Sequence, residues 1–294
     1  MLYVGIFVGL VLESWSLPVQ VRTVEYYYNY DDSIQIQWMP HKCIYFVLEL
    51  FTDSSDKAEH ETCGYLTPPV SRGFPLREGD ILSSGSRSAI ICLGDSCRWP
   101  RSVDGFVYVP YIISPTYDYM DRITIETGML DISSATCVKF VPLCNFFFLT
   151  IIVVHCWPHS CWSYLGMIGG SQTVSLQSPG CMWSGVAAHE LMHALGFVHE
   201  QSRSDRDHHV SILWENIIDN QRHNFKKYET NNLNTAYDYS SVMHYGRYAF
   251  SEDGGPTIIP KPDPYIPIGQ RDGPSPTDIH KINILYNCGR YSSY

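Results

Sequence analysis

This 294-residue chain is poor in basic residues. Twenty Lys and Arg stand against 30 Asp and Glu, for a net charge of −10. No basic stripe marks a nucleic-acid surface, so a nucleic-acid partner is not expected. No apolar run reaches membrane-spanning length, so no membrane span is expected either. Asn-x-Ser/Thr sequons are absent, which argues against N-glycosylation. No internal repeat is visible. What the chain does have is cysteine, ten in all. Its first residues, Met1 to Leu12, form a short apolar run that passes into Ser14-Trp15-Ser16. That suits the core of a signal peptide over residues 1–16, although a positively charged start is missing; a buried strand is the alternative. Ten cysteines behind such a segment point to an oxidising compartment and a secreted protein. The length allows one domain of about 200 residues plus an N-terminal extension.

The densest information lies in His189-Glu190-Leu-Met-His193-Ala-Leu-Gly196-Phe-Val-His199. Two histidines four residues apart on a helix differ by about 40° around its axis, so both face one point. Neutral imidazole suits zinc. Glu190 is rotated by about 100° from His189 and points beside a metal rather than at it, the geometry of a general base for water. Gly196 can take a positive φ and end the helix, so the chain can turn back and bring His199 to the same point. Three protein ligands leave one position open, which marks a catalytic zinc rather than a closed structural one. A surface helix with two histidines is the bland alternative for His-Glu-x-x-His alone; Gly196 and His199 argue against it. Ser241-Val242-Met243-His244-Tyr245 lies downstream where a metzincin protease has its Met-turn.

Together with His199-Glu200-x-x-Arg203-x-Asp205-Arg206-Asp207, these segments resemble the astacin family of zinc endopeptidases. The resemblance runs from about Leu76 to Cys288. The stretches Cys97–Pro110, Tyr228–Tyr239 and Ile268–Arg271 place it nearest the six-cysteine fish group that includes the hatching enzymes. It implies that His189, His193 and His199 bind one zinc ion and that Glu190 takes a proton from water and passes it to the leaving amine. It makes Met243 an apolar floor under the histidines. Tyr245 would approach the metal and then hydrogen-bond the oxyanion; without the family, it would read as an ordinary buried tyrosine. Leu76-Arg-Glu-Gly79-Asp80-Ile81 resembles the family's pro-segment motif, in which an aspartate, here Asp80, occupies the open position on zinc. The bland reading of Asp80 is a Gly-Asp turn. The resemblance also places the activating cut at Arg87-Ser88, suited to a trypsin-like protease, with Arg72 and Arg77 as alternatives. The Ser88 ammonium would then meet Glu200, a residue otherwise read as exposed. Cys137 would pair with Cys288, Cys161 with Cys181 and Cys92 with Cys97, while Cys43, Cys63, Cys144 and Cys156 have no counterparts.

The expected organisation is therefore a signal peptide (1–16), a propeptide (17–87), a catalytic domain (88–288) and a short tail (289–294). The fold class expected is α+β, a two-subdomain metzincin-type protease with a mixed twisted sheet, a zinc helix and a cleft. Strands are expected at 106–112 and 137–141, a helix at about 119–132, and a zinc helix preceded by Ser184-Gly185. Residues 169–176 should lead from the edge strand that takes extended substrate. Ser275-Pro276-Thr-Asp278 reads as a capping-box helix start. Residues 142–160 depart from the family's mixed polar strand. Their apolar run suits a buried strand followed by a loop. His155, Cys156, His159 and Cys161 there invite a second-metal reading, which the disulfide role of Cys161 opposes. The function expected is a secreted monomeric endopeptidase that binds peptide extended in its cleft. Hatching-type digestion of egg-envelope protein competes with a general tissue protease, and both with a non-catalytic binder on the same fold.

Overall fold

The computed structural model describes residues 76–82, 96–143, 150–157 and 160–289. The expected signal peptide, most of the propeptide, the Arg87-Ser88 bond, Cys43, Cys63, Cys92, Cys144, His159 and most of the tail lie outside the described residues.

Seven strands form one mixed sheet: β1 (Leu76–Arg77), β2 (Ile81–Leu82), β3 (Val107–Ile113), β4 (Val138–Pro142), β5 (Thr150–His155), β6 (Trp162–Tyr164) and β7 (Gly170–Ser175). Their order is β1-β2-β6-β7-β5-β3-β4. The pairs β7-β5, β5-β3 and β3-β4 are parallel, whereas β6 runs antiparallel to β7. Parallel strands covered on both faces carry β-branched residues on both sides. The run Thr150-Ile-Ile-Val-Val-His155 obeys that rule, and Ile152 and Val154 are fully buried. The apolar segment that departs from the family pattern thus supplies an interior strand.

Helix α1 (Tyr119–Ser133) starts at Asp118, whose side chain accepts from the Asp121 amide at 2.8 Å. It packs across α2 (Ser184–Ala194), the helix that carries His189 and His193. Ser184 was expected ahead of this helix; it is the first residue inside it. Trp183 is the cap and makes no side-chain capping bond. Burial substitutes for a cap, since the helix is enclosed along nearly its whole length. At its other end Gly196 takes φ +102°, the turn expected there.

The second half of the described chain has little regular structure: short 3₁₀ turns, the antiparallel pair β8 (Val210–Ile212) and β9 (Ile258–Pro260), and a final helix α3 (Pro276–Leu285). Ser275 and Asp278 form the capping box at the start of α3. Two apolar clusters result. One joins the sheet, α1, α2 and α3 and includes Met243; the other gathers Val210, Ile217, Phe225, Tyr237, Tyr245 and Ile258. Only His244 separates Met243 from Tyr245, so the chain crosses from one cluster to the other at the Met-turn. Disulfides join Cys137 to Cys288 and Cys161 to Cys181. Cys97 and Cys156 are disulfide-bonded as well, and Cys156 and Cys161 are therefore not available to a second metal. Among the described residues no helix is long and apolar enough to cross a membrane.

Candidate metal centre and the segment that covers it

His189 and His193 leave α2 on one face, and the turn at Gly196 returns His199 to them. Each imidazole is held from behind. His189 Nδ1 donates to the Val242 carbonyl at 2.8 Å, and His193 Nδ1 donates to the Phe197 carbonyl at 2.7 Å. His199 Nδ1 lies 2.5 Å from the Glu78 carboxylate. A ring that donates from Nδ1 presents a lone pair at Nε2, the form that ligates metal.

The Nε2 atoms converge on Asp80. Its Oδ2 lies 3.2 Å from His189 Nε2 and 3.1 Å from His199 Nε2, and its Oδ1 lies 3.5 Å from His193 Nε2. The four ligand atoms all fall within 4.8 Å of one another. A tetrahedral zinc with bonds of about 2.1 Å has ligand–ligand edges of roughly 3.4 Å, which matches these separations. Moreover, Asp80 Oδ1, His193 Nε2 and Glu190 Oε2 are buried with no hydrogen-bond partner. Buried polar atoms seldom stay orphaned, and a cation between Asp80 and His193 removes the anomaly for those two atoms. The residues present therefore fit a zinc ion.

The charges differ across the cluster when no cation is bound, and His199 must lose a proton to ligate metal. Burial pushes His189 down to about 3, so this imidazole is neutral. Burial also opposes charge on His199, but the Asp80 and Glu78 carboxylates hold it up to about 9. Glu190 is raised well above the ordinary carboxyl value, by burial foremost and then by the Asp80 charge. A carboxyl raised in this way is suited to exchange protons near neutral pH.

Asp80 belongs to a short piece of chain laid along the cleft. Strand β2 adds to the sheet edge in parallel with β6, pairing Ile81 with Ser163 and Leu82 with Tyr164. The turn before it holds Glu78 and Gly79 at positive φ. Gly79 donates to Asn224 Oδ1 at 3.1 Å and presses against the Phe250 ring. Tyr245, whose ring centroid lies 4.5 Å from that of His199, donates its hydroxyl to the Glu78 carbonyl. Burial keeps that hydroxyl protonated. Glu78 thus contacts both His199 and Tyr245. Sequence reasoning assigned it no role, although it stands two residues before Asp80 in the same motif.

The Met-turn is fixed from α3. The Asp278 carboxylate accepts from Ser241 Oγ at 2.6 Å and from the Val242 amide at 2.9 Å, while it also caps its own helix. Met243 is buried in the first cluster, and its carbonyl accepts from the Glu200 amide at 3.0 Å. Glu200 was expected to meet the Ser88 ammonium only after activation; in the uncut chain its carboxylate is met by Arg203 at 3.0 Å and Lys281 at 2.5 Å. Asp278 and Lys281 were not singled out as site residues, because nothing local in the sequence joins them to positions 241 and 200.

A mixed sheet above a helix that offers three imidazoles, an adjacent carboxyl and a Met-turn is the framework of a metzincin zinc peptidase. The comparisons narrow this. Residues 96–287 match the Astacin peptidase family. High choriolytic enzyme 2 of Oryzias latipes is 49% identical over 215 residues, covering 72% of this chain and 76% of that protein. The astacin-like metalloendopeptidase of Gallus gallus is 49% identical over 220 residues, 74% of this chain and 53% of that protein. The solved structure of high choriolytic enzyme 1, a hatching enzyme zinc-protease from Oryzias latipes, superposes with a TM-score of 0.66 at 50% identity. It covers 68% of this chain and 100% of that one. The chain belongs to the astacin family and is a zinc-dependent metalloendopeptidase.

Proposed function

We propose that this chain is the secreted precursor of a hatching-type endopeptidase, held silent by its own residues 76–82. The observation that carries the precursor reading is Asp80, whose carboxylate stands among the three Nε2 atoms while β2 covers the sheet edge. Three choriolytic relatives from Oryzias latipes support egg-envelope protein as the substrate. In this reading residues 1–16 are a signal peptide, 17–87 a propeptide removed by a trypsin-like protease after Arg87, and 88–288 a monomeric catalytic domain.

His189, His193 and His199 would hold the zinc. The metal, when bound, supplies Lewis acidity toward the scissile carbonyl and makes water acidic enough to attack near neutral pH. Extended peptide would add to β6 by backbone hydrogen bonds, the position β2 fills in the precursor. Glu190 takes the proton from the attacking water and passes it to the leaving amine. Tyr245, freed from the Glu78 carbonyl, donates its hydroxyl to the developing oxyanion. Asp80→Ala tests the reading. The uncleaved Asp80→Ala precursor should hydrolyse a fluorogenic peptide, and a mutant as silent as the wild-type precursor would refute the switch.

A further inference from the structure

Glu78 is 1% exposed and lies two residues before Asp80. Its Oε2 stands 2.5 Å from His199 Nδ1 and also accepts from the His199 amide at 3.3 Å. Asp80 Oδ2 stands 3.1 Å from Nε2 of the same ring. Two carboxylates of one short segment therefore bracket a single imidazole, one at each nitrogen. In an extended strand, residues two apart point to the same side. Here Glu78 takes φ +51° and Gly79 φ +79°, and the turn they form sends the two side chains to opposite edges of the ring. Positive φ disfavours a glutamate, so the backbone alone does not account for the residue at this position.

The other two histidines are backed differently. His189 Nδ1 meets the Val242 carbonyl and His193 Nδ1 the Phe197 carbonyl. Both partners are neutral and both belong to the proposed catalytic domain. The partner of His199 is charged and comes from the proposed propeptide. A carboxylate behind a ligating imidazole fixes the ring and raises its basicity, and losing such a partner weakens metal binding by about 10–100-fold. Charge points the same way. A divalent cation with the Asp80 carboxylate and three neutral imidazoles leaves one positive charge in a buried site, and the Glu78 carboxylate cancels it. Among the described residues the only ion-pair partner of Glu78 is His199, so its buried charge has no other cation to answer.

We propose that Glu78 makes residues 76–82 part of the zinc site of the uncut chain: it is a positioning residue that backs His199 through Nδ1, and the uncut chain holds zinc more tightly because of it. This rests on the reading of residues 76–82 as a covering segment with Asp80 among the ligands, and it concerns the uncut chain alone. The seating of the segment does not depend on the Glu78 side chain. The Glu78 carbonyl accepts from Tyr245, Gly79 donates to Asn224, and β2 pairs with β6. Loss of the carboxylate should therefore loosen the metal and leave Asp80 in place.

Zinc binding to the intact precursor tests it, with a serine-protease inhibitor present to prevent cleavage. Wild type, Glu78→Gln, Glu78→Asp and Asp80→Ala are stripped of metal. Zinc is titrated against a chromogenic chelator, and cobalt(II) absorption is recorded for each protein. Glu78→Gln should raise the zinc Kd by about 10–100-fold. Its cobalt band should keep the wild-type shape, since the ligand atoms are unchanged, whereas Asp80→Ala should alter the band. A Glu78→Gln Kd within about threefold of wild type overturns the proposal. So does a Glu78→Gln band like that of Asp80→Ala, because Glu78 would then act by seating the segment rather than by backing His199. Should Glu78→Gln fail to fold, Glu78→Asp decides by the same two readings, as its carboxylate is one methylene shorter and falls short of Nδ1. An Asp80→Ala protein with the wild-type Kd and band would remove the covering-segment reading; the zinc Kd of Glu78→Gln then decides alone for or against Glu78.

Discussion

On the proposed precursor reading, replacing Gly79 by alanine should release residues 76–82 from the cleft without altering any residue of the proposed catalytic domain. Gly79 has φ +79°, and a Cβ built there would stand 2.6 Å from Phe250 Cζ. The left-handed conformation costs an alanine about 1–2 kcal/mol. Moving the ring costs a further ~1–3 kcal/mol of overpacking. Phe250 is not free to swing away, since it packs edge-on against Phe225 at 6.0 Å and tilted against Tyr245 at 5.6 Å. A middle value of about 3 kcal/mol shifts the equilibrium between covered and open cleft by roughly 10²-fold. The assay is the initial rate of uncleaved precursor on a quenched-fluorescence peptide, with a serine-protease inhibitor present to prevent activation. The Gly79→Ala precursor should leak activity in that proportion. After cleavage, the mutant and wild-type enzymes should be identical, because the altered residue has been removed. A Gly79→Ala precursor no more active than wild type would refute the claim that this turn seats the blocking segment.

Two more outcomes follow from the same contacts. Tyr245→Phe should lower kcat of the activated enzyme by about 10²-fold with little change in KM, the signature of a lost oxyanion donor; an unchanged kcat would remove Tyr245 from the chemistry. Replacing Cys137 and Cys288 together by serine opens a loop spanning 151 residues. Stability should fall by about 4–5 kcal/mol on the chain-entropy account, read as a lower denaturant midpoint, and an unmoved midpoint would contradict it.

The parts of this molecule that are local in sequence were legible in it. The histidines of α2 declare themselves by helical spacing, Gly196 by its need for positive φ, and the Ser275–Asp278 cap by its own pattern. Strands β3 and β4 lie a residue later than their alternation suggests, within the ordinary play of strand ends. The start of α2 was less legible, because burial rather than a capping side chain sets it. Least visible were pairings across long separations. Glu78 meets His199 over 121 positions and Tyr245 over 167, and Lys281 meets Glu200 over 81. Such contacts leave no periodicity, since each is made by tertiary packing between elements whose local patterns are independent. Glu200 shows the consequence. Read alone it is an exposed residue; only the family resemblance implied that it meets a cation, and neither reading pointed to Arg203 or Lys281.

The central claim is that zinc held by three histidines and a carboxyl at Glu190 together cleave peptide bonds. The most direct measurement is digestion of a denatured protein by the trypsin-activated enzyme, beside a chelated sample and a Glu190→Ala variant of equal zinc content. Activity should be lost on chelation and restored by zinc. Glu190→Ala should fall by at least about 10²-fold, the lower bound for a general base. Digestion that survives chelation, or a Glu190→Ala enzyme that keeps its rate, would contradict the account.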